Sequence, residues 1–159
     1  MKSEPAERLD PRAITLWRIT GTLNMLPLLV GAYFATLALS RFVGVSFFFA
    51  IVPVLTVLAL AGVVVGIAPG LRWRRWRYEI RPEEVDLQRG IFWISRTLVP
   101  LARIQHVDTR QGPLQRRFGL STVVFYTAAG PNQIPELSAP VAAEVRDRIA
   151  ELTREQDEL

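Results

Sequence analysis

Hydrophobic positions change their period at Trp76. Before it, residues 19–71 hold 36 apolar residues in 53 and a single charge, Arg41. Between Arg18 and Arg41 lie 22 uncharged residues, and between Arg41 and Arg72 lie 30, whereas crossing a hydrocarbon core of about 30 Å takes roughly 20 helical residues. The pattern predicts two membrane-spanning helices joined over Ser40–Ser46, an antiparallel hairpin with both chain ends on one side. Pro27 and Pro53 are expected to bend the helices and Pro69-Gly70 to end the second. Gly62, Gly66 and Gly70 recur every four residues, and Gly31 and Ala35 repeat the spacing, which marks a helix-packing side used within the hairpin or in a homo-oligomer. A secretory signal peptide ending at Ala38-Leu39-Ser40 is the rival reading. It is disfavoured because the run exceeds the ~7–15 residues of a signal core and a second span follows at once.

From Trp76 onward apolar and polar residues alternate, as in half-buried strands. Trp76–Ile80 and Val85–Gln88 flank the turn Arg81–Glu84, Arg89-Gly90 turns the chain again, and Ile91–Val99 reads as a third strand. Ile104–Thr109, Ser121–Ala128 and Gln133–Leu137 read as further strands. Ser138 then caps an amphipathic helix with Pro140 in its first turn and Val141, Val145, Ile149 and Leu152 on one stripe. Strands followed by one helix predict a curved antiparallel sheet that the helix covers. In the segment between strands, Gly112-Pro113 opens a short helical turn, Leu114 and Phe118 tuck inward, and Gln115, Arg116 and Arg117 point outward. With Gln111 they form the candidate partner-binding surface.

The chain thus divides into an N-terminal segment, 1–18, a transmembrane hairpin, 19–71, and a domain, 72–159, which carries 26 of the 34 charges. Arg8, Arg12 and Arg18 precede the first span and Arg72, Arg74, Arg75 and Arg77 follow the second, so both ends are expected in the cytoplasm. Those last four arginines, interleaved with Trp73 and Trp76, are expected to anchor at headgroup level and are the candidate lipid ligands. Residues 72–118 carry net +6 and residues 119–159 net −4; this dipole suits an anionic leaflet and makes nucleic-acid binding unnecessary as an explanation. With no cysteine and one histidine, thiolate chemistry, disulfides and a structural zinc site are excluded. His106 and Asp108 share a strand face, but no nucleophile elbow accompanies them. No enzyme, metal or cofactor is expected.

The run Arg103-Ile104-Gln105-His106-Val107-Asp108, with Gln111-Gly112-Pro113-Leu114-Gln115-Arg116, Phe118-Gly119-Leu120 and Tyr126-Thr127-Ala128, resembles the signature of the YdbS-like family of small bacterial membrane proteins carrying a bacterial pleckstrin-homology (PH) domain. The resemblance implies a two-helix transmembrane hairpin followed by a mainly antiparallel β, PH-like domain with one C-terminal α-helix, in a bacterial cytoplasmic membrane. It also implies a protein partner, a larger relative with repeated PH-like domains. Many PH domains hold inositol phosphates with basic residues between their first two strands. Here that loop is Arg81-Pro82-Glu83-Glu84, whose carboxylates would repel a phosphorylated headgroup. The reading is therefore a non-enzymatic, membrane-anchored module that recruits a protein, with an anionic-lipid sensor as the alternative and a transporter accessory as a distant third.

Overall fold

The computed structural model describes residues 4–157, so the outermost residues of the ranges 1–18 and 72–159 lie outside it. It divides into two units: one holds Trp17–Gly70, and the other joins the residues up to Leu16 to those from Leu71 onward.

The helical unit is built from α1 (Arg12–Phe42) and a second long helix in four pieces: α2 (Phe47–Ala50), α3 (Val52–Ala61), a π-helical segment (Gly62–Ile67) and α4 (Ala68–Arg75). Only 11 % and 6 % of their most apolar stretches are buried within the protein. A soluble core helix would be mostly covered, so these bare apolar faces belong in lipid. Thr22, Thr36 and Thr56 return their hydroxyls to carbonyls one turn back, at 2.9–3.0 Å, so these three donors are satisfied within their own helices. Pro69-Gly70 does not end the second helix. The π segment widens the turn before it, with the Ala68 N–H donating to Val63 O, and Pro69 then falls in the first turn of α4, where its missing N–H costs little.

The second unit starts from the N-terminal segment, which is more than a flank. β1 (Glu7–Arg8) pairs antiparallel with β2 (Arg77–Ile80), which pairs with β3 (Glu84–Arg89) and then β4 (Ser95–Pro100). A 3-10 turn at Leu101–Arg103 leads into the second sheet: β5 (Ile104–Arg110), β6 (Leu120–Thr127) and β7 (Gly130–Ser138), with α5 (Pro113–Phe118) between β5 and β6. Helix α6 (Ala139–Asp157) closes the domain against this sheet and the 3-10 turn. The alternation seen in the sequence becomes a core of Trp76, Tyr78, Val85, Leu87, Leu120, Val123, Phe125 and Ile134. The stripe of α6 is rotated from the expected one: Ala142, Val145 and Ile149 are buried and Val141 is exposed.

Leu9, Ala13 and Leu16 are buried in the domain, so the first turn of α1 belongs to its core. The Asp10 N–H donates to Glu136 O at 3.1 Å, and Arg12 donates both to Asp10 Oδ2 at 2.9 Å and to Phe118 O at 2.8 Å. Glu136 sits near a bulge between β6 and β7 with φ 51, a left-handed conformation that these bonds hold in place. The buried Tyr78 phenol has its pKa raised by desolvation and by a hydrogen bond with Glu7, so it stays protonated.

Replacing Leu9 by Ala should destabilise the domain by about 2–5 kcal/mol in denaturant unfolding, as for a core leucine rather than a loose N-terminal residue. Hydrogen bonds from the Arg12 side chain, the largest effect, depress the Asp10 pKa. A depressed carboxylate contributes stability above its unfolded pKa of about 3.9 and loses it as pH falls through the folded value. Asp10→Asn should accordingly lower stability at pH 7 and reduce its loss below about pH 4, measured by thermal melts across pH.

Candidate binding surface

Helix α5 shows how the predicted partner surface is built. Gly112 starts it in extended backbone and donates its N–H to Gln115 Oε1 at 2.9 Å, the reciprocal half of a capping box. Gly119 ends it at φ 64, in the left-handed cap that glycine favours. Gln115 does not point outward: its amide donates to Thr122 Oγ1 at 2.9 Å and Glu136 Oε2 at 3.0 Å. Gln111 donates to Leu120 O at 2.8 Å. Both glutamines lock α5 onto β6 and β7, because an amide carries donors and an acceptor that satisfy buried partners on several elements. Arg116 and Arg117 remain exposed.

These two arginines lie in the last turn of α5, the element that follows β5. β5 is at the edge of its sheet, and five of its seven residues, Gln105, His106, Asp108, Thr109 and Arg110, are exposed. The His106 ring stacks on Tyr126 with centroids 4.2 Å apart, and Arg110 hydrogen-bonds the Tyr126 hydroxyl. His106 Nε2 stands 3.6 Å from Asp108 Oδ2, with both side chains more than half exposed. Such solvated, loosely spaced groups serve recognition better than proton transfer. A cleft of about 230 Å³ between β5 and α6, lined by Gln105, His106, Thr153 and Arg154, continues the surface. Among the described residues, no group of three His, Cys, Asp or Glu side chains is placed to hold a metal.

The loop corresponding to an inositide site is neutralised from within. Arg81 lies 2.8 Å from Glu79, 3.7 Å from Glu84 and 3.6 Å from Asp86. Asp86 is fully buried and also accepts bonds from Arg96 Nε at 3.0 and 3.2 Å. Arg96 therefore braces the sheet, and Glu84 is half-buried beside Arg81.

The juxtamembrane arginines are divided by the fold. Trp76 is buried, and Trp73 donates its indole N–H to Leu9 O at 2.9 Å beneath the Arg8 guanidinium. Trp76 therefore packs in the domain core instead of standing at headgroup level, while Trp73 is partly exposed and tied to the N-terminal segment. Arg72 is attracted to Glu136, and Arg77 lies in β2 between Arg8 and Gln88. Arg74 and Arg75 are exposed. In the helical unit, Gly31, Gly62, Gly66 and Gly70 touch no side chain that a Cβ would meet; the close approach is at Gly21, where an added Cβ would lie 3.4 Å from Val65. Gly62 and Gly66 instead line an apolar groove of about 350 Å³ with Thr22, Met25 and Val57. The expected third strand starts at Ser95, not Ile91, and leaves Phe92 and Trp93 exposed at a hairpin tip.

A family model described as Bacterial PH domain matches residues 26–153. The chain belongs to the bacterial PH domain family. This bacterial PH protein is 35 % identical over 164 residues to the UPF0699 transmembrane protein YdbS of Bacillus subtilis (strain 168), covering 99 % of each chain. It is 28 % identical over 151 residues to UPF0699 transmembrane protein YdbT of the same organism, covering 95 % of this chain and 29 % of that one. No solved structure matches it. The matched region takes in the C-terminal half of α1, the whole second helix and β2 to β7, while β1 lies outside it.

Asp86→Asn removes the carboxylate between two arginines that still reach solvent and should lower domain stability by about 1.5–3 kcal/mol, the worth of a charge-assisted hydrogen bond, in denaturant unfolding. The double change Arg116→Ala and Arg117→Ala, at exposed positions, should stay within about 0.5 kcal/mol per site.

Proposed function

We propose that this protein is a membrane-anchored PH-like module that recruits a protein partner at the cytoplasmic face of a bacterial membrane. One observation carries the reading: β5 is an exposed edge strand, followed by α5 with Arg116 and Arg117. An open edge presents unpaired backbone N–H and C=O groups, and proteins usually blunt such edges with proline, lysine or a covering element. Left open, it suits addition of a strand from another chain, with the exposed side chains of β5 supplying selectivity. The internal neutralisation of Arg81 argues against an inositide pocket. The arginines flanking the two spans favour cytoplasmic termini, because the connector carries only Arg41. A partner resembling YdbT, a larger relative of this chain, fits the reading, and the module's role is then assembly rather than catalysis.

The lipid reading rests on Arg74 and Arg75, which are exposed beside the second span. Each such arginine adds about 1 kcal/mol of attraction to an anionic leaflet.

A photo-crosslinking amino acid at Thr109 of the full chain, in native membranes, tests the proposal. The expected result is a covalent adduct with another polypeptide, sharply reduced by Arg116→Ala with Arg117→Ala. Adducts with lipid alone, or none, would overturn it.

A further inference from the structure

Three apolar side chains, Phe92, Trp93 and Ile94, stand in solvent at one end of the four-stranded sheet. Phe92 and Trp93 are 88 % and 86 % exposed and Ile94 51 %. Residues 90–94 connect β3 to β4, and the tip is not loose: Gly90 has φ 128, and a Cβ there would lie 1.8 Å from Trp93 O. Only glycine allows the chain to fold back so closely. The Phe92 and Trp93 rings meet edge to face with centroids 6.5 Å apart. The backbone thus fixes two aromatic rings outward.

The register places this tip. Arg8, Arg77, Gln88 and Arg96 form one row across the sheet. Beyond that row on one side lie three things: Leu9, which leads into α1; Trp76 and Arg75, which come from α4; and the 90–94 tip. The tip therefore projects from the end of the sheet at which the chain arrives from one membrane-spanning helix and departs into the other. Loop tips here extend up to about 10 Å past the last paired row. Arg89 flanks the tip as an exposed cation.

We propose that Phe92 and Trp93 insert into the interfacial zone of the bilayer that the protein already spans, giving the domain a lipid contact besides its two helices. Aromatic rings beside arginine are the composition of that zone. A protein occupant is disfavoured by size: a stable interface buries about 800 Å² per partner, and aromatic side chains bury about 150–250 Å² each, so this small tip falls short. Inserting two rings from a domain already tethered to the bilayer has no such threshold, because tethering converts the contact into an intramolecular one. This inference is independent of the partner at β5.

The chain has no cysteine, so one introduced thiol can be labelled alone. The full-length variants F92C and W93C, carrying an environment-sensitive fluorophore, would be reconstituted in phosphatidylcholine–phosphatidylglycerol vesicles and compared with A129C. Ala129 lies in the turn between β6 and β7, and these strands meet Arg12 and Asp10 at their other ends, next to Phe118 and at Glu136. Nitroxide-labelled lipid should quench the labels at 92 and 93 several-fold more than the label at 129, and aqueous iodide should quench them several-fold less. Equal iodide quenching at all three sites would overturn the proposal. Shielding from both quenchers at 92 and 93 would overturn it too, by showing that protein covers the tip.

Discussion

The pairing of Glu7–Arg8 with Arg77–Tyr78 brings together two stretches of chain separated by the entire helical hairpin. Nearly everything else in the domain rests against that junction. Leu9 and Ala13 complete the core, Trp73 is bonded to Leu9 O, and Asp10 and Arg12 reach across to Glu136 and Phe118 on the second sheet. Glu136 in turn receives Gln115, which holds α5. A short strand therefore ties both sheets, the signature helix and both helix exits into one hydrogen-bonded set.

The same set explains how a basic chain presents few free arginines near its core. Arg8 lies over an indole, Arg12 caps α5, Arg81 and Arg96 enclose Asp86, and Arg72 is attracted to Glu136. Several arginines of the domain thus brace its fold while still reaching solvent, and Arg74, Arg75, Arg116 and Arg117 stand among its other exposed cations.

The helical hairpin, the order of strands and the closing helix were legible because each rests on local periodicity, charge flanks and turn residues. The rest depended on contacts between distant residues. A two-residue strand has no period to detect, so the role of Glu7–Arg8 could not be read from the chain. Ile91–Ile94 looks like strand by composition, and only the conformation at Gly90 turns it into an aromatic tip. The glutamines of the signature read as surface residues by type, yet each amide finds partners on strands far along the sequence. Tryptophans beside arginines read as a headgroup anchor because that composition is common to membrane borders, whereas here Trp76 is buried in the domain and Trp73 is bonded to Leu9 O. Within the hairpin the close approach is at Gly21, beside Val65, which no spacing of small residues marks.

The position of β1 has a consequence for biogenesis. Its residues are made before both apolar helices, their partner β2 only after them, and Glu136 and Phe118 later still. The domain cannot close until the hairpin has been inserted with both ends on the same side. A chain inserted with one helix, or with its start stranded across the bilayer, would lack an edge strand and part of its core, and would expose Trp76 and the sheet to proteolysis. Completion of the fold is thus a built-in check that insertion has succeeded.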